Sequence, residues 1–252
     1  MKKILITGAS SGFGVSLVKS LSKDFFVIVG ARRVGKMKDL YKGKKNIEIH
    51  KVDLSKKKDL LDFINKVKNK HKYIPYIVNN AAVFPKYKID DIEYKDLEFS
   101  FNLNTFAPTM IMKHFLPMMK KENFGRIVNL TSGAPFNCSE NFSIYSASKA
   151  SLNAFSITAA KEYKKFNIKI NLFSPGQIKT EMSPQSIIDP NESVPYLMYL
   201  LKNSNKLFTG KFIWTNYILP TSPDLTGVQW ANAKASKKYK KLNDDKIRNN
   251  RI

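Results

Sequence analysis

The chain has 252 residues, 43% of them hydrophobic and 25% charged, which fits one large globular domain and excludes wholesale disorder. With 11 Gly and 11 Pro it is neither collagen-like nor low-complexity, and its single Cys excludes an internal disulfide and a cysteine-based zinc cluster. The formal charge of +23 comes from 38 Lys and five Arg spread over every segment, the pattern of a generally basic surface rather than a dedicated polyanion site.

No apolar stretch reaches the roughly 18 residues of a membrane span. The opening M-K-K-I-L-I stops at Thr7, short of a signal core. The expectation is a cytoplasmic protein with no membrane span and no specific nucleic-acid partner.

The first strand-like run, Ile4–Ile6, leads into T-G-A-S-S-G-F-G at residues 7–14, and a helical pattern follows from Val15 through Leu17, Val18 and Leu21. A glycine-rich turn between a strand and a helix is the setting that cradles a dinucleotide pyrophosphate. Gly8 permits a sharp exit from the strand, Gly12 a close backbone approach, and Gly14 the packing of helix on strand. The helix start offers free N–H groups and the positive end of its dipole. Gly8, Ser10, Ser11, Gly12, Phe13 and Gly14 are therefore the candidate phosphate contacts.

The second run, Phe25–Val29, ends in Gly30, Ala31, Arg32 and Arg33. An acid there would bond a ribose 2′-hydroxyl, whereas an arginine pair suits a 2′-phosphate by charge and fork geometry. This favours NADP(H), with NAD(H) as the alternative. Asp53, after the third run Ile47–Val52, is placed to accept from an adenine amino group. Runs at Tyr76–Val78 and Ile127–Thr131 follow, and Ser132 stands at the end of the latter.

Next comes Tyr145-Ser-Ala-Ser-Lys149. With 11 Tyr and 38 Lys, Y-x-x-x-K arises by chance about twice, and a second pair, Tyr41 and Lys45, does occur. Company separates the two: Ser132 precedes Tyr145, and small residues fill the helix behind it. On a helix, positions i and i+4 share a face. An ammonium beside Tyr145 would lower the phenol from its ordinary pKa of about 10 and suit it to general acid/base work. Ser132 can hydrogen-bond a substrate oxygen as charge develops.

Runs at Ile168–Phe173 and Phe212–Trp214 complete the series. Strand-like runs alternating with amphipathic stretches predict an α/β fold: a Rossmann-like, doubly wound parallel sheet of about seven strands with helices on both faces. One domain is expected over 1–230, with a basic tail over 231–252.

These motifs, with Asp53-Leu54, V-N-N-A-A at 78–82, N-T-F-A-P at 104–108, G-R-I-V-N-L-T-S at 125–132 and S-P-G-Q-I-K-T at 174–180, resemble the short-chain dehydrogenase/reductase family in order and spacing. The resemblance covers about residues 2–215. It implies that Tyr145 transfers the proton, that Lys149 holds the nicotinamide ribose, and that Ser132 orients the carbonyl. Asn104 would perturb its helix and hold a water leading to Lys149. Asn80 and Ala81 would line the adenosine side, and Ile178 and Thr180 would fix the carboxamide. A homodimer or homotetramer built on helices near 96–121 and 143–165 is also implied.

Three departures stand out. Ala82 replaces a glycine, the segment from Met182 to Asn191 is short and suggests an open site, and no glycine pair follows the last run. That C-terminal sequence is similar to members of bacterial surface-sugar pathways. Cys138 lies between Ser132 and Tyr145; a lone cysteine is by default a small buried residue. Trp214, Tyr217 and Trp230 are expected to pack, and Phe136 and Phe142 to flank the cleft. His50, His71 and His114 are scattered without ligand spacing, so no metal is expected.

The reading is an NADP(H)-dependent oxidoreductase acting on a small alcohol or carbonyl compound. A catalytically silent NAD(P)-sensing regulator and a polyanion-binding protein are the alternatives.

Overall fold

The structure, a computed structural model, describes residues 1–205, 207–221, 228–229 and 234–236. Its first unit is built on eight strands: β1 (Lys2–Thr7), β2 (Phe25–Ala31), β3 (Ile47–Lys51), β4 (Tyr76–Asn79), β5 (Gly125–Leu130), β6 (Ile168–Ser174), β7 (Phe212–Trp214) and β8 (Tyr217–Leu219). They lie in the order β3-β2-β1-β4-β5-β6-β7-β8, with every pair parallel except β7 and β8.

The strands read as continuous apolar runs because both faces of the sheet are covered. Helices α1 (Gly12–Leu21), α2 (Val34–Leu40) and α8 (Pro190–Lys202) pack on one face. Helices α3 (Lys57–His71), α5 (Ala107–Lys121) and α7 (Ser143–Glu162) pack on the other. In β1 the alternation is direct: Ile4 and Ile6 enter the first core, Leu5 the second. Leu17, Val18 and Leu21 of α1 are fully buried, each contributing roughly 1.5–3 kcal/mol of apolar burial.

Two short helices, α4 (Tyr94–Phe101) and α6 (Ala134–Asn137), complete the unit. The eighth strand exceeds the expected seven. Thr215, at φ 52°, and Asn216 reverse the chain, so β8 returns antiparallel with Trp214 opposite Tyr217. Those two rings, expected to pack inside, are exposed and stack on each other at 6.0 Å.

The first compact unit spans Met1–Leu219. In the second unit, Pro220–Ile252, the described strands β9 (Val228–Gln229) and β10 (Lys234–Ala235) pair antiparallel. Trp230 and most of the basic tail lie outside the described residues. Among the described residues no helix is long and apolar enough to cross a membrane.

The strand order reverses between β1 and β4. In such sheets the crevice beyond the carboxyl ends at that reversal is where ligands bind. All the expected site residues of the first unit belong to that end of the sheet or to helices packed beside it.

Candidate active site

Helix α1 starts directly after the glycine turn. Ser11 is its N-cap, in extended conformation, but no side chain caps the helix and no acid stands in its first turn. The free N–H groups and positive dipole end therefore remain available to an anion. Gly8 turns the chain at φ 72°, and a Cβ there would lie 2.7 Å from Ala81 Cα. A Cβ on Gly14 would lie 2.3 Å from the Gly8 carbonyl oxygen. Both positions are thus closed to any side chain, which keeps the cradle bare backbone. This surface fits a dinucleotide pyrophosphate.

Asn80 and Ala81 hold this turn from below. Their N–H groups donate to Thr7 Oγ1 at 3.0 and 3.1 Å. Asn80 Nδ2 donates to the carbonyls of Thr7 and Gly8 at 3.0 and 3.2 Å. Phe13 is buried in the core against Phe173.

The arginine pair separates. Arg33 turns to the phosphate turn and donates from Nε to Ser10 Oγ at 3.3 Å. Arg32 is exposed and lies toward Asp53. Burial raises the Asp53 carboxyl, but hydrogen bonds from Ser55, with Arg32 and Lys56 nearby, bring it below its ordinary value. Asp53 Oδ1 accepts from Ser55 N at 3.1 Å and Ser55 Oγ at 2.6 Å, and Leu54 is buried beneath it.

The chain after β6 closes the other side. Ile178 is buried and forms a bridge to Ile188, while Lys179 N–H donates to the Ile188 carbonyl at 2.8 Å. Thr180 forms a small turn with Ser183, whose N–H donates to its carbonyl at 3.1 Å. The methyl Cγ2 of Thr180 stands 3.2 Å from where a Gly12 Cβ would be. The sequence reading missed Glu181 and Lys36: Glu181 pairs with both Arg33, at 2.9 Å, and Lys36, at 2.6 Å.

Tyr145 and Lys149 occupy successive turns of α7, as their spacing requires. Lys149 is buried, and its Nζ donates to the Leu130 carbonyl at 2.8 Å. Burial without a carboxylate pushes its ammonium down to about 7. Tyr145 behaves differently from expectation. Burial raises its hydroxyl, opposed only by the neighbouring Ser132 side chain. Ser132 Oγ also accepts from the Ala134 N–H at 3.1 Å.

Between α4 and α5 the chain forms a π-helical turn, Asn102–Phe106. Single π turns of this kind are frequent at functional sites. Asn104, buried within it, accepts from Val83 N–H at 2.9 Å and donates to the Val83 carbonyl at 2.9 Å and Ser148 Oγ at 3.0 Å. Its carboxamide therefore fixes the chain after β4 to α7. Below the site, Asn79 donates to Asn129 at 2.7 Å and Asn129 to Ser156 at 2.8 Å, joining β4, β5 and α7.

One cleft wall was not legible. Phe84 packs edge-on against Tyr145 at 4.6 Å and Phe142 at 4.8 Å. Phe136 turns instead to Phe212 at 5.3 Å. Cys138 is exposed, not buried: it ends α6 in the left-handed conformation, φ 45°. The rival pair dissolves as well. Tyr41 caps α2 and donates to the Ala9 carbonyl at 2.6 Å, while Lys45 lies beyond the helix, exposed.

Residues 2–190 match the family model described as short chain dehydrogenase. A diacetyl reductase ((S)-acetoin forming) from Staphylococcus epidermidis is 32% identical over 187 residues, covering 72% of this chain and 73% of that protein. Among solved structures, 4-hydroxyisoleucine dehydrogenase complexed with NADH superposes with a TM-score of 0.81 at 22% identity, covering 86% of this chain and 97% of that one. The NADPH-bound carbonyl reductase from chicken fatty liver gives 0.78 at 23% identity, covering 87% and 98%. At these identities the two structures speak for the fold alone. The family match spans the phosphate turn, the Ser132–Tyr145–Lys149 group and the segment carrying Thr180, and on it the chain belongs to the short-chain dehydrogenase family of oxidoreductases.

Proposed function

We propose that this protein is an NADP(H)-dependent oxidoreductase of small alcohols and carbonyl compounds, with Tyr145 as its general acid/base. The observation that carries the reading is the convergence of Tyr145, Ser132 and the buried Lys149 where β5 ends, beside a bare glycine cradle flanked by Arg33 and Lys36. The diacetyl reductase name supports a small carbonyl substrate, and Arg33 and Lys36 beside the cradle support a 2′-phosphate.

In this reading Gly8, Ser10, Ser11, Gly12, Phe13 and Gly14 shape the pyrophosphate site. Arg33, with Arg32 beside Asp53, serves the 2′-phosphate end. Leu54, Asn80 and Ala81 bound the adenosine side. Lys149 serves the nicotinamide ribose, and Ile178 and Thr180 the carboxamide. The bound nicotinamide supplies a hydride and its electron pair. Tyr145 donates its hydroxyl proton to the carbonyl oxygen during reduction and takes it back during oxidation. Ser132 hydrogen-bonds the same oxygen as negative charge grows on it. Lys149 favours the phenolate once its ammonium is fixed by ribose hydroxyls. Asn104 acts as a positioning residue, locking Val83 to α7. Phe84 and Phe142 supply an apolar wall. Two copies pair through α4–α5 and α7, whose outer faces leave Phe99, Phe106 and Phe155 exposed.

Titration of the full chain with NADPH and NADH, followed by nicotinamide fluorescence, tests the cofactor. Binding of NADPH about tenfold tighter, with that advantage lost in Arg33→Ala, is expected. Tighter NADH binding overturns the NADP(H) assignment. Binding of neither by folded protein overturns the cofactor reading.

A further inference from the structure

The cations beside the phosphate turn already have an anion. Glu181 gives one carboxylate oxygen to Arg33 Nη1 at 2.9 Å and the other to Lys36 Nζ at 2.6 Å. Arg33 holds Ser10 Oγ through Nε, so the group is anchored on the lip of the cradle. Glu181 arrives from the far side of the site, 148 residues from Arg33 in sequence. It directly follows Thr180, whose methyl lies over Gly12. Residues 180–183 thus cross the phosphate turn, tied down at Glu181.

Carboxylate and phosphate monoester compete for the same donors. A guanidinium fork and an ammonium suit both, but a phosphate brings nearly twice the charge and three acceptor oxygens. Lys36 lies one helical turn beyond Arg33, at the start of α2, and faces the same anion. Resting on the NADP(H) reading, we infer that Glu181 is a cofactor-specificity residue: it occupies Arg33 and Lys36 in the free protein and is displaced by the 2′-phosphate, with Lys36 as that phosphate's second cation. A cofactor ending in a 2′-hydroxyl leaves the Glu181 pairs intact. Glu181 therefore weakens NADP(H) binding without a matching effect on NAD(H), and narrows the discrimination between them.

All three side chains are about half exposed, and exposed ion pairs are individually weak. Two of them set an effect of about three- to tenfold in affinity. Calorimetric titration of the full chain with NADPH, NADH, adenosine 2′,5′-bisphosphate and 5′-AMP tests this, using Glu181→Gln, Lys36→Ala, Arg33→Ala and the Arg33→Ala/Glu181→Gln double variant. Glu181→Gln is expected to tighten NADPH and the bisphosphate by that factor and to leave NADH and 5′-AMP within about twofold. Lys36→Ala weakens the two 2′-phosphate ligands, and the Glu181→Gln gain disappears in the double variant. An unchanged or weakened NADPH affinity in Glu181→Gln, or equal tightening of NADH, overturns the competitor role. If Arg33→Ala still costs NADPH affinity in that case, the NADP(H) reading survives alone. If Arg33→Ala spares every ligand, the 2′-phosphate site and the Glu181 inference fall together.

Discussion

Lys149 Nζ stands 5.9 Å from the centre of the Tyr145 ring and donates its hydrogen bond to the Leu130 carbonyl, not to the phenol. The two residues are neighbours on α7, yet in the free protein the ammonium does not pull the phenol down. Burial acts on both in opposite senses, raising Tyr145 and lowering Lys149. Each is held toward its neutral form until a ligand adds partners for the charged ones.

That arrangement costs stability. The folded pKa of Lys149, about 7, lies below its ordinary 10.5. The group's unfavourable contribution is therefore full at and below pH 7 and fades as pH rises toward 10.5. Lys149→Met is expected to stabilise the free protein at pH 6 by about 1–3 kcal/mol, to stabilise it less at pH 9, and to abolish turnover. Urea unfolding at the two pH values checks this; a destabilised variant at pH 6 contradicts it.

Phe84 sets one face of the Tyr145 ring. An aromatic pair is worth about 0.5–1.5 kcal/mol beyond its buried area. Phe84→Ala is expected to lower kcat/KM about tenfold while NADPH affinity stays within about twofold, since the ring packs on Tyr145 and Phe142. Steady-state kinetics beside a cofactor titration separates the two effects.

Away from the site, His50 and His71 converge on Glu48, at 2.6 and 3.0 Å, with Lys70 at 2.9 Å. Lys3 binds the His71 carbonyl nearby. Burial, with Lys3 and Lys70 nearby, lowers His71 more than Glu48 raises it, so its folded pKa falls below 6.5. Its contribution is present above pH 6.5 and is lost as pH falls. Burial raises Glu48, but Lys70 and His50 bonds outweigh it, so its contribution is lost as pH falls through its lowered folded value. Both signs agree. Stability is expected to fall from pH 7 to pH 5 through His71, with the Glu48 loss following only below pH 4.5, and Glu48→Gln is expected to cost about 1–3 kcal/mol at pH 7. Thermal unfolding across that range checks it; rising stability toward pH 5 contradicts it.

The local features of the fold and site were legible in the sequence. The glycine turn is contiguous, and one helical turn relates Tyr145 to Lys149, a spacing that becomes informative only with Ser132 and the small residues in its company. The alternation of apolar runs likewise gives a parallel, doubly wound sheet, because crossover connections leave few topologies. What stayed hidden depends on long-range contact. Glu181 reads as one more charge until β6 ends opposite α2. Phe84 sits in a loop with no period of its own. Glu48, His50 and His71 share no ligand spacing, yet α3 ends beside β3. Strand β8 depends on a reversal at Thr215 with no glycine to mark it.

The most direct measurement is Tyr145→Phe, assayed for NADPH affinity and for turnover of a panel of small carbonyl compounds. Removing one hydroxyl leaves the ring against Phe84 and the cradle untouched. Retained NADPH affinity with turnover reduced by about a hundredfold or more is the predicted result. Turnover at the level of the unsubstituted protein would contradict the role assigned to Tyr145.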